Sequence, residues 1–188
     1  MSASGDTRHD VVTVLTHDHR AVEHLFAQLE DLPKGDQGRR EIADTIVAEL
    51  ARHSVAEEQY LYPAVREHVP GGDELAEHEI EEHAEAERIM HALEGLDPGD
   101  PEFDKLISQL MRDIRHHVHG EETDLFPRLT AVCPESELRR LGEQVEAAKK
   151  VGPTRPHPDA PDRPPMNKLG GPVLGLADRI RELLSSRR

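Results

Sequence analysis

The chain has 188 residues, with 38 Asp and Glu against 23 Lys and Arg and a formal net charge of −15. This acidic balance disfavours nucleic acids and anionic membranes as partners, and an aromatic content of 3% without Trp disfavours a base-stacking surface. The single cysteine, Cys133, excludes a disulfide framework and a Cys-ligated zinc site, whereas 13 histidines are too many to be explained by chance.

The sequence also indicates where the protein resides. Residues 1–6 lack the apolar stretch of an export signal, and no run of 18 or more apolar residues occurs. We therefore expect a soluble, cytoplasmic protein that binds neither nucleic acid nor a membrane.

Four apolar stripes with the three-to-four spacing of a helix follow one another along the chain. They cover residues 12–29, 42–61, 76–93 and 103–125. Pro63 is expected to kink or end the second helix, a Pro-Gly-Gly sequence at 70–72 stops it firmly, and Pro127 lies near the end of the fourth. A shorter fifth helix is expected around residues 136–148.

No segment alternates with the period of a strand, so the chain is predicted to be all-α. Short loops between four long amphipathic helices predict an antiparallel up-down four-helix bundle, which together with the fifth helix spans residues 8–150. Residues 151–188 are predicted to be a separate tail, because six of the 14 prolines lie within 152–165. An amphipathic helix predicted at 172–188 could dock on the bundle, join a second copy in a homodimer or contact a membrane. Docking, on the bundle or on a second copy, is favoured because the basic face of this helix is too thin for strong attraction to lipid.

The chain contains an internal two-helix repeat. The sequence from His53 to Pro63 matches the sequence from His117 to Pro127, and the same distance along the chain, here called the repeat offset, relates His19 to His83. The first two helices are thus repeated as the third and fourth, which predicts a bundle with an approximate two-fold axis.

Six residues with metal-binding side chains stand on the apolar stripes: His19, His53, Glu57, His83, His117 and Glu121. Each Glu follows a His by four residues, a spacing that turns about 400° and rises about 6 Å, so the two side chains share a helix face. Because both pairs face inward, four imidazoles and two carboxylates are expected to meet in an apolar core.

Such a cluster needs compensation, since burying an unpaired carboxylate costs several kcal/mol. Two divalent cations would provide it, each with two His nitrogens and with both Glu shared. Imidazole and carboxylate without thiolate suit iron, manganese or zinc, and six ligands on two ions leave positions open for a reactant. The alternative, in which core His and Glu satisfy one another, explains the internal matches less well.

These residues resemble the hemerythrin-like family of HHE cation-binding domains. The family pattern is met at His19, His53/Glu57, His83 and His117/Glu121, over about residues 10–130. The resemblance implies a four-helix bundle holding two iron ions, bridged by the two Glu and an oxo or hydroxo group. Family members bind O₂, nitric oxide or peroxide, sense oxygen or iron, or decompose peroxide.

The sequence departs from the oxygen-carrying branch of that family. Where the branch has His-x3-His on its third helix, Glu79 stands four residues before His83, and Glu121 or Glu122 replaces an Asp on the fourth helix. A site richer in carboxylates holds ferric iron more firmly, which disfavours reversible O₂ carriage.

Four further residues are candidates for orienting the ligands or the substrate: Glu23, Glu79, Glu87 and Tyr62. Glu23 and Glu87 follow two of the histidines by four residues, although a surface ion pair is the alternative for each. Tyr62 could donate a hydrogen bond to a bound oxygen species, or simply pack in the core as its repeat partner Phe126 would.

The sequence therefore favours a non-haem di-iron protein that binds and processes small oxygen or nitrogen species, with peroxide decomposition as the leading function. Sensing of oxygen, nitric oxide or iron without turnover is the alternative, and simple metal binding is a third. Iron is favoured over manganese and zinc by the family resemblance.

Overall fold

The computed structural model describes residues 10–156, and these residues form helices joined by short loops. In chain order the helices are α1 (Val11–Asp31), α2 (Gly38–Ala56), α3 (Tyr62–His68), α4 (Gly72–Leu93), α5 (Pro101–Gly120), α6 (Phe126–Val132) and α7 (Glu135–Val151). The prediction of an all-α chain is confirmed for this part. The C-terminal helix predicted at 172–188 lies outside the described residues.

The four long helices α1, α2, α4 and α5 pack side by side as a bundle. Helix α1 begins at Asp10, whose carboxylate accepts a hydrogen bond from the Thr13 amide, and α5 begins in the same way at Asp100. Between α3 and α4 the chain reverses at Gly71, which has a φ of 74°, and a Cβ atom at Gly72 would overlap the Val65 carbonyl oxygen. Short connections of this kind make consecutive long helices antiparallel.

Two single turns of π-helix, Glu57–Leu61 and Glu121–Leu125, join α2 to α3 and α5 to α6. The Tyr62 amide donates to the Glu57 carbonyl, five residues back, and the Phe126 amide does the same to Glu121. Pro63 was expected to kink or end its helix; instead the helical conformation continues, because a proline at the start of α3 needs no backbone donor. Turns of this type are frequent at functional sites.

The apolar core is divided into two clusters. One contains Phe26, Met90 and Phe103 and fills the end of the bundle near the α1–α2 and α4–α5 loops. The other contains Leu15 and Leu129 and fills the end near α3 and α6. Histidines on α1, α2, α4 and α5 lie between the two clusters along their helices, so the core is polar at its middle.

Helix α7 is the fifth helix of the sequence prediction, and it extends from Glu135 to Val151. It packs against α1 and α2, and its Leu138, Leu141 and Val145 join the second of the two apolar clusters. One face of the bundle is therefore covered by an additional helix.

Candidate metal centre

The six predicted ligands meet at a buried site in the middle of the bundle. None of them is more than 5% exposed, and both carboxylates, Glu57 and Glu121, are 0% exposed. The helical stripes explain this burial, since each of the histidines occupies a core position between apolar residues of its own helix.

On one side of the site, two imidazoles face the carboxylates through their Nε2 atoms. His19 Nε2 lies 3.3 Å from Glu121 Oε2, and His53 Nε2 lies 3.1 Å from Glu57 Oε1. The two rings meet edge to face with centroids 5.0 Å apart. Four donor groups are thus close enough to share one ion.

The other side repeats this arrangement with the second pair of histidines. His83 Nε2 lies 3.4 Å from Glu57 Oε2, and His117 Nε2 lies 3.7 Å from Glu121 Oε2. The two Nε2 atoms are 3.2 Å apart. Since the two oxygens of Glu57 face different histidine pairs, this carboxylate lies in a bridging position between them.

The donor atoms fit a pair of cations. His19, His53, Glu57 and Glu121 each offer one atom within 4.8 Å of the others, and Glu57, His83 and His117 form a second such group. His19 Nε2, both Glu57 oxygens and Glu121 Oε2 are buried without a hydrogen-bond partner in the described chain. Buried polar atoms that face one another without hydrogen bonds are what a cation site requires.

Each imidazole faces an outer carboxylate at its other nitrogen, Nδ1, and three of the four rings are hydrogen-bonded there. His19 Nδ1 lies 2.8 Å from Glu122, and His83 Nδ1 lies 3.1 Å from Glu58. His53 Nδ1 lies 3.5 Å from Asp18, and His117 Nδ1 lies 3.0 Å from Glu82 and 2.9 Å from Glu79. A carboxylate on Nδ1 orients the ring and directs Nε2 toward a metal.

Sequence reasoning missed two of these outer carboxylates, Asp18 and Glu82. The signal was present, because each immediately precedes a ligand histidine and the two are related by the repeat offset. Helix geometry could not reveal this signal, because residues adjacent in a helix point about 100° apart and so do not contact each other. Asp18 and Glu82 instead face histidines of a neighbouring helix. Glu122 and Glu58, which hold the Nδ1 atoms of His19 and His83, are related by the same offset.

The four secondary candidates divide into two groups. Glu79 and Tyr62 are at the site: the Tyr62 hydroxyl lies 3.1 Å from His83 Nε2 and donates to Glu121 Oε1 at 3.3 Å. Glu23 is instead on the surface, where it accepts from Arg115 at 2.8 Å, and Glu87 is half-buried along α4. The structure therefore places Glu23 in the surface ion pair that was its alternative.

The mutual proximity of these groups shifts their pKa values. Burial lowers the pKa of the imidazoles, but the carboxylates around them outweigh it, so that the pKa of His53 rises to about 10 and that of His83 to about 9. Burial raises the pKa of Glu57, yet His53 and His83 lower it well below its usual range. Without metal, these shifts favour imidazolium at His53 and His83 beside an ionised Glu57, and a bound cation would have to displace the protons of the two imidazoles.

A family model and a solved structure both match this chain. The model of the hemerythrin HHE cation-binding domain matches residues 10–129. The crystal structure of a hemerythrin HHE cation-binding domain-containing protein from Mycobacterium kansasii shares the fold, with a TM-score of 0.63 and 22% identity over 75% of this chain and 85% of that one. Within residues 10–156, no helix combines the length and apolar character that a bilayer crossing requires.

Three curated relatives were found. An uncharacterized hemerythrin-like protein of Schizosaccharomyces pombe is 28% identical over 89% of this chain and 82% of its own length. A DNA nickase of Nostoc is 29% identical, and a probable iron-sulfur cluster repair protein of Haemophilus influenzae is 30% identical; this chain spans only 39% and 52% of their lengths. Because the family model covers well over half of the chain and matches the helices that build the site, the chain belongs to the hemerythrin HHE cation-binding domain family.

Proposed function

We propose that this chain is a non-haem di-iron protein that processes small oxygen species, with peroxide as its substrate in a catalase-like reaction. The observation that carries the proposal is the convergence of four Nε2 atoms on two fully buried carboxylates. In the proposed two-fold arrangement, His19 and His53 hold one ion, His83 and His117 hold the other, and the two Glu are shared.

The donor set selects the class of metal. Imidazole nitrogen and carboxylate oxygen without thiolate suit iron, manganese or zinc. A relative of this chain is named a probable iron-sulfur cluster repair protein, which favours iron among the three. Bound iron would supply the changes of oxidation state by which one peroxide molecule is oxidised to O₂ while a second is reduced to water.

The chain's own residues would prepare the site for this chemistry. The outer carboxylates fix the imidazole rings, and the two apolar clusters limit the access of water to the metals. Burial, together with the charges of Glu57 and Glu121, raises the pKa of Tyr62 well above 10, so its hydroxyl keeps its proton. Tyr62 therefore serves as a fixed hydrogen-bond donor beside His83.

An open cavity between α1 and α6 lies beside the site and is our proposed entry for neutral molecules. Its volume is about 470 Å³, and it is lined by Val12, Thr16, Glu122 and Phe126 among others. The Phe126 ring stacks on the His19 ring with centroids 5.8 Å apart, so the cavity ends one ring away from a proposed ligand. Its largely apolar lining disfavours ions, so uncharged species, among them peroxide, are the molecules that we propose enter here.

The test is oxygen evolution from peroxide by iron-loaded protein, together with metal analysis and an optical spectrum. We expect two iron ions per chain and O₂ release that is lost in Glu57→Ala, since this substitution removes a shared carboxylate. Glu30→Ala is the matched control, because this exposed Glu pairs with Arg115 on the surface. Iron binding without O₂ release would contradict the enzymatic function alone, whereas failure to bind iron would contradict the whole proposal.

A second function, sensing of O₂, nitric oxide or iron without turnover, is favoured by one chain of contacts. Asp18 lies between His53 Nδ1 and the ammonium group of Lys149 in α7, so a change at the metals can alter the helix that leads into residues 151–188. We expect proteolysis within 151–188 to change rate when iron-loaded protein is treated with nitric oxide. An unchanged rate would argue against sensing through α7.

The relative named a DNA nickase raises the question of a nucleic-acid partner. The formal charge of −15 disfavours contact with a phosphate backbone, so we propose that this chain does not bind DNA. Retention of the protein on a DNA column at low salt would contradict this.

A further inference from the structure

The face of the bundle formed by α4 and α5 carries a second set of cation-binding side chains. Glu82 lies there at the boundary between the buried site and the solvent, with His78 and His116 outside it and Glu79 beneath it. A cavity of about 330 Å³ opens on this face and extends to the ligands His83 and His117. Glu82 belongs to the lining of this cavity.

Glu82 connects the inside of the site to the surface through its two oxygens. Oε2 lies 3.0 Å from His117 Nδ1, while Oε1 lies 3.5 Å from His78 Nε2 and 3.8 Å from His116 Nε2. The two outer imidazoles are 63% and 79% exposed. Below them, Glu79 is buried, with Oε2 2.9 Å from His117 Nδ1. Imidazole and carboxylate groups therefore follow one another from the surface to the metal centre.

The matching face of the other half shows what such a carboxylate attracts. Asp18, the counterpart of Glu82 in the first repeat, places one oxygen near His53 Nδ1 and the other against the ammonium group of Lys149. Helix α7 supplies this lysine and covers the α1–α2 face. A positive charge thus stands beside the outer oxygen of Asp18, whereas two exposed imidazoles stand beside the outer oxygen of Glu82.

Two positions at which the residues of the two repeats differ also distinguish the α4–α5 face as the one that carries metal-binding side chains. The residue that matches Glu79 is Leu15, which belongs to the apolar core, so the buried carboxylate is present in one half only. The residue that matches His78 is Val14. The half that α7 covers therefore has apolar groups at two positions where the other half has metal-binding groups.

We propose that His78, Glu82 and His116 form an uptake site for a divalent transition-metal cation, from which Glu79 and Glu82 pass the ion to the buried centre. Mixed imidazole and carboxylate ligands bind this class of cation, and Glu85 and Asp113 at the same cavity add negative charge, although Arg88 pairs with Glu85. The inference rests on the metal site proposed above.

The cavity between α1 and α6 is less suited to cations. Its one carboxylate, Glu122, is already paired with Arg20 at 2.5 Å and with His19 at 2.8 Å. The two cavities thus divide by chemistry, with charged ions directed to the α4–α5 face and neutral molecules to the α1–α6 face.

The test measures how fast cobalt(II) enters protein that has been freed of metal by chelation. Stopped-flow absorbance of the bound cobalt is recorded for the native chain, for His78→Ala/His116→Ala, and for the control His24→Ala/His91→Ala. The control removes the same number of exposed imidazoles elsewhere on the surface. We expect cobalt uptake to be about tenfold slower in His78→Ala/His116→Ala, because about tenfold is the low end of the rate gain that local concentration of an ion provides. The final content of two ions per chain should be unchanged.

The dependence on cobalt concentration gives a second readout. An uptake site makes the native rate saturate as cobalt increases, whereas the rate in His78→Ala/His116→Ala rises linearly over the same range. Two bound ions and equal rates in all three proteins would overturn this inference alone. A native chain that binds no cobalt would contradict the metal site itself, and the uptake site with it.

Discussion

Tyr62 is the residue at which the two halves of the site differ most in hydrogen bonding. Its hydroxyl contacts both His83 Nε2 and Glu121 Oε1, while the matching residue on the other side, Phe126, stacks on His19. Because Phe already fills the matching position, Tyr62→Phe should fold. We expect it to lower the free energy of unfolding of the metal-free protein by about 1 kcal/mol, the net value of a buried hydrogen bond.

Urea denaturation measures this loss, and metal analysis provides the complementary result. Two ions per chain should remain bound in Tyr62→Phe, since the hydroxyl is not among the six proposed ligands. A fall to one ion would mean that the tyrosine is itself a ligand and would contradict its role as a hydrogen-bond donor.

At this scale the sequence was most informative where the same side chain recurs at the repeat offset. His53 and Glu57 could be predicted as neighbours, and likewise His117 and Glu121, because each Glu follows its His by four residues on the same helix face. The partner of an imidazole Nδ1 atom could not be predicted, because Asp18 reaches His53 across a helix interface. Helix periodicity gives the face of a residue but not the distance between two helices.

At the scale of elements, the two π-helical turns begin at the buried carboxylates Glu57 and Glu121. Each adds one residue to the turn, which shifts the phase of everything after it relative to an α-helix. The apolar stripe of the sequence continues through Leu61 and Leu125, so no periodic signal indicated the change. Pro63 and Pro127 were the visible marks, and they follow the π turns instead of ending the helices.

Helix α7 was predictable as a helix but not as the cover of one face. Leu141 is 3% exposed in the cluster that α7 shares with α1, and Val151 at the end of the same helix is 45% exposed. We expect Leu141→Ala to cost about 3 kcal/mol of unfolding free energy, because removing a packed Leu leaves a cavity. Val151→Ala, as its control, should change it by less than about 0.5 kcal/mol.

Both values come from urea denaturation of the metal-free chain, monitored by far-ultraviolet circular dichroism. The contact of Lys149 with Asp18 depends on the same docking, so Leu141→Ala should also weaken that ion pair. Equal stability of the two variants would mean that α7 packs only loosely on the bundle.

At the scale of the whole molecule, the repeat relates the buried side chains of one half to those of the other half. It does not relate the outer faces of the two halves. The six proposed ligands and four of the outer carboxylates obey the repeat offset, and this regularity allowed the cluster of side chains to be predicted. Glu79 and Tyr62 are matched by the apolar Leu15 and Phe126, and α7 covers one half only, so the repeat could not predict the differences between the two sides. Those differences separate the covered α1–α2 face from the α4–α5 face that carries His78 and His116.

Stability as a function of pH tests the charges of the whole centre, since its imidazoles should lose their protons when metal binds. In the metal-free protein the pKa of His53 rises to about 10 and that of His83 to about 9, from a usual value of 6.5. The stability that these imidazolium groups contribute is fully present below pH 6.5 and is lost as the pH rises through 9 and 10. The contribution of Glu57 to stability depends on pH in the opposite direction, because its pKa is lowered. This contribution is present above the usual pKa of 4.5 and is lost only in stronger acid.

The melting temperature of the metal-free protein should therefore fall as the pH is raised from about 6 to about 9. In the cobalt-loaded protein the metals hold the imidazoles unprotonated, while the unfolded chain still takes up protons below its usual pKa of 6.5. Its melting temperature should accordingly rise between about pH 5 and about pH 7 and then level off. Calorimetry with and without cobalt over the same buffers gives both curves. Parallel curves would mean that bound metal does not displace protons from the imidazoles of His53 and His83.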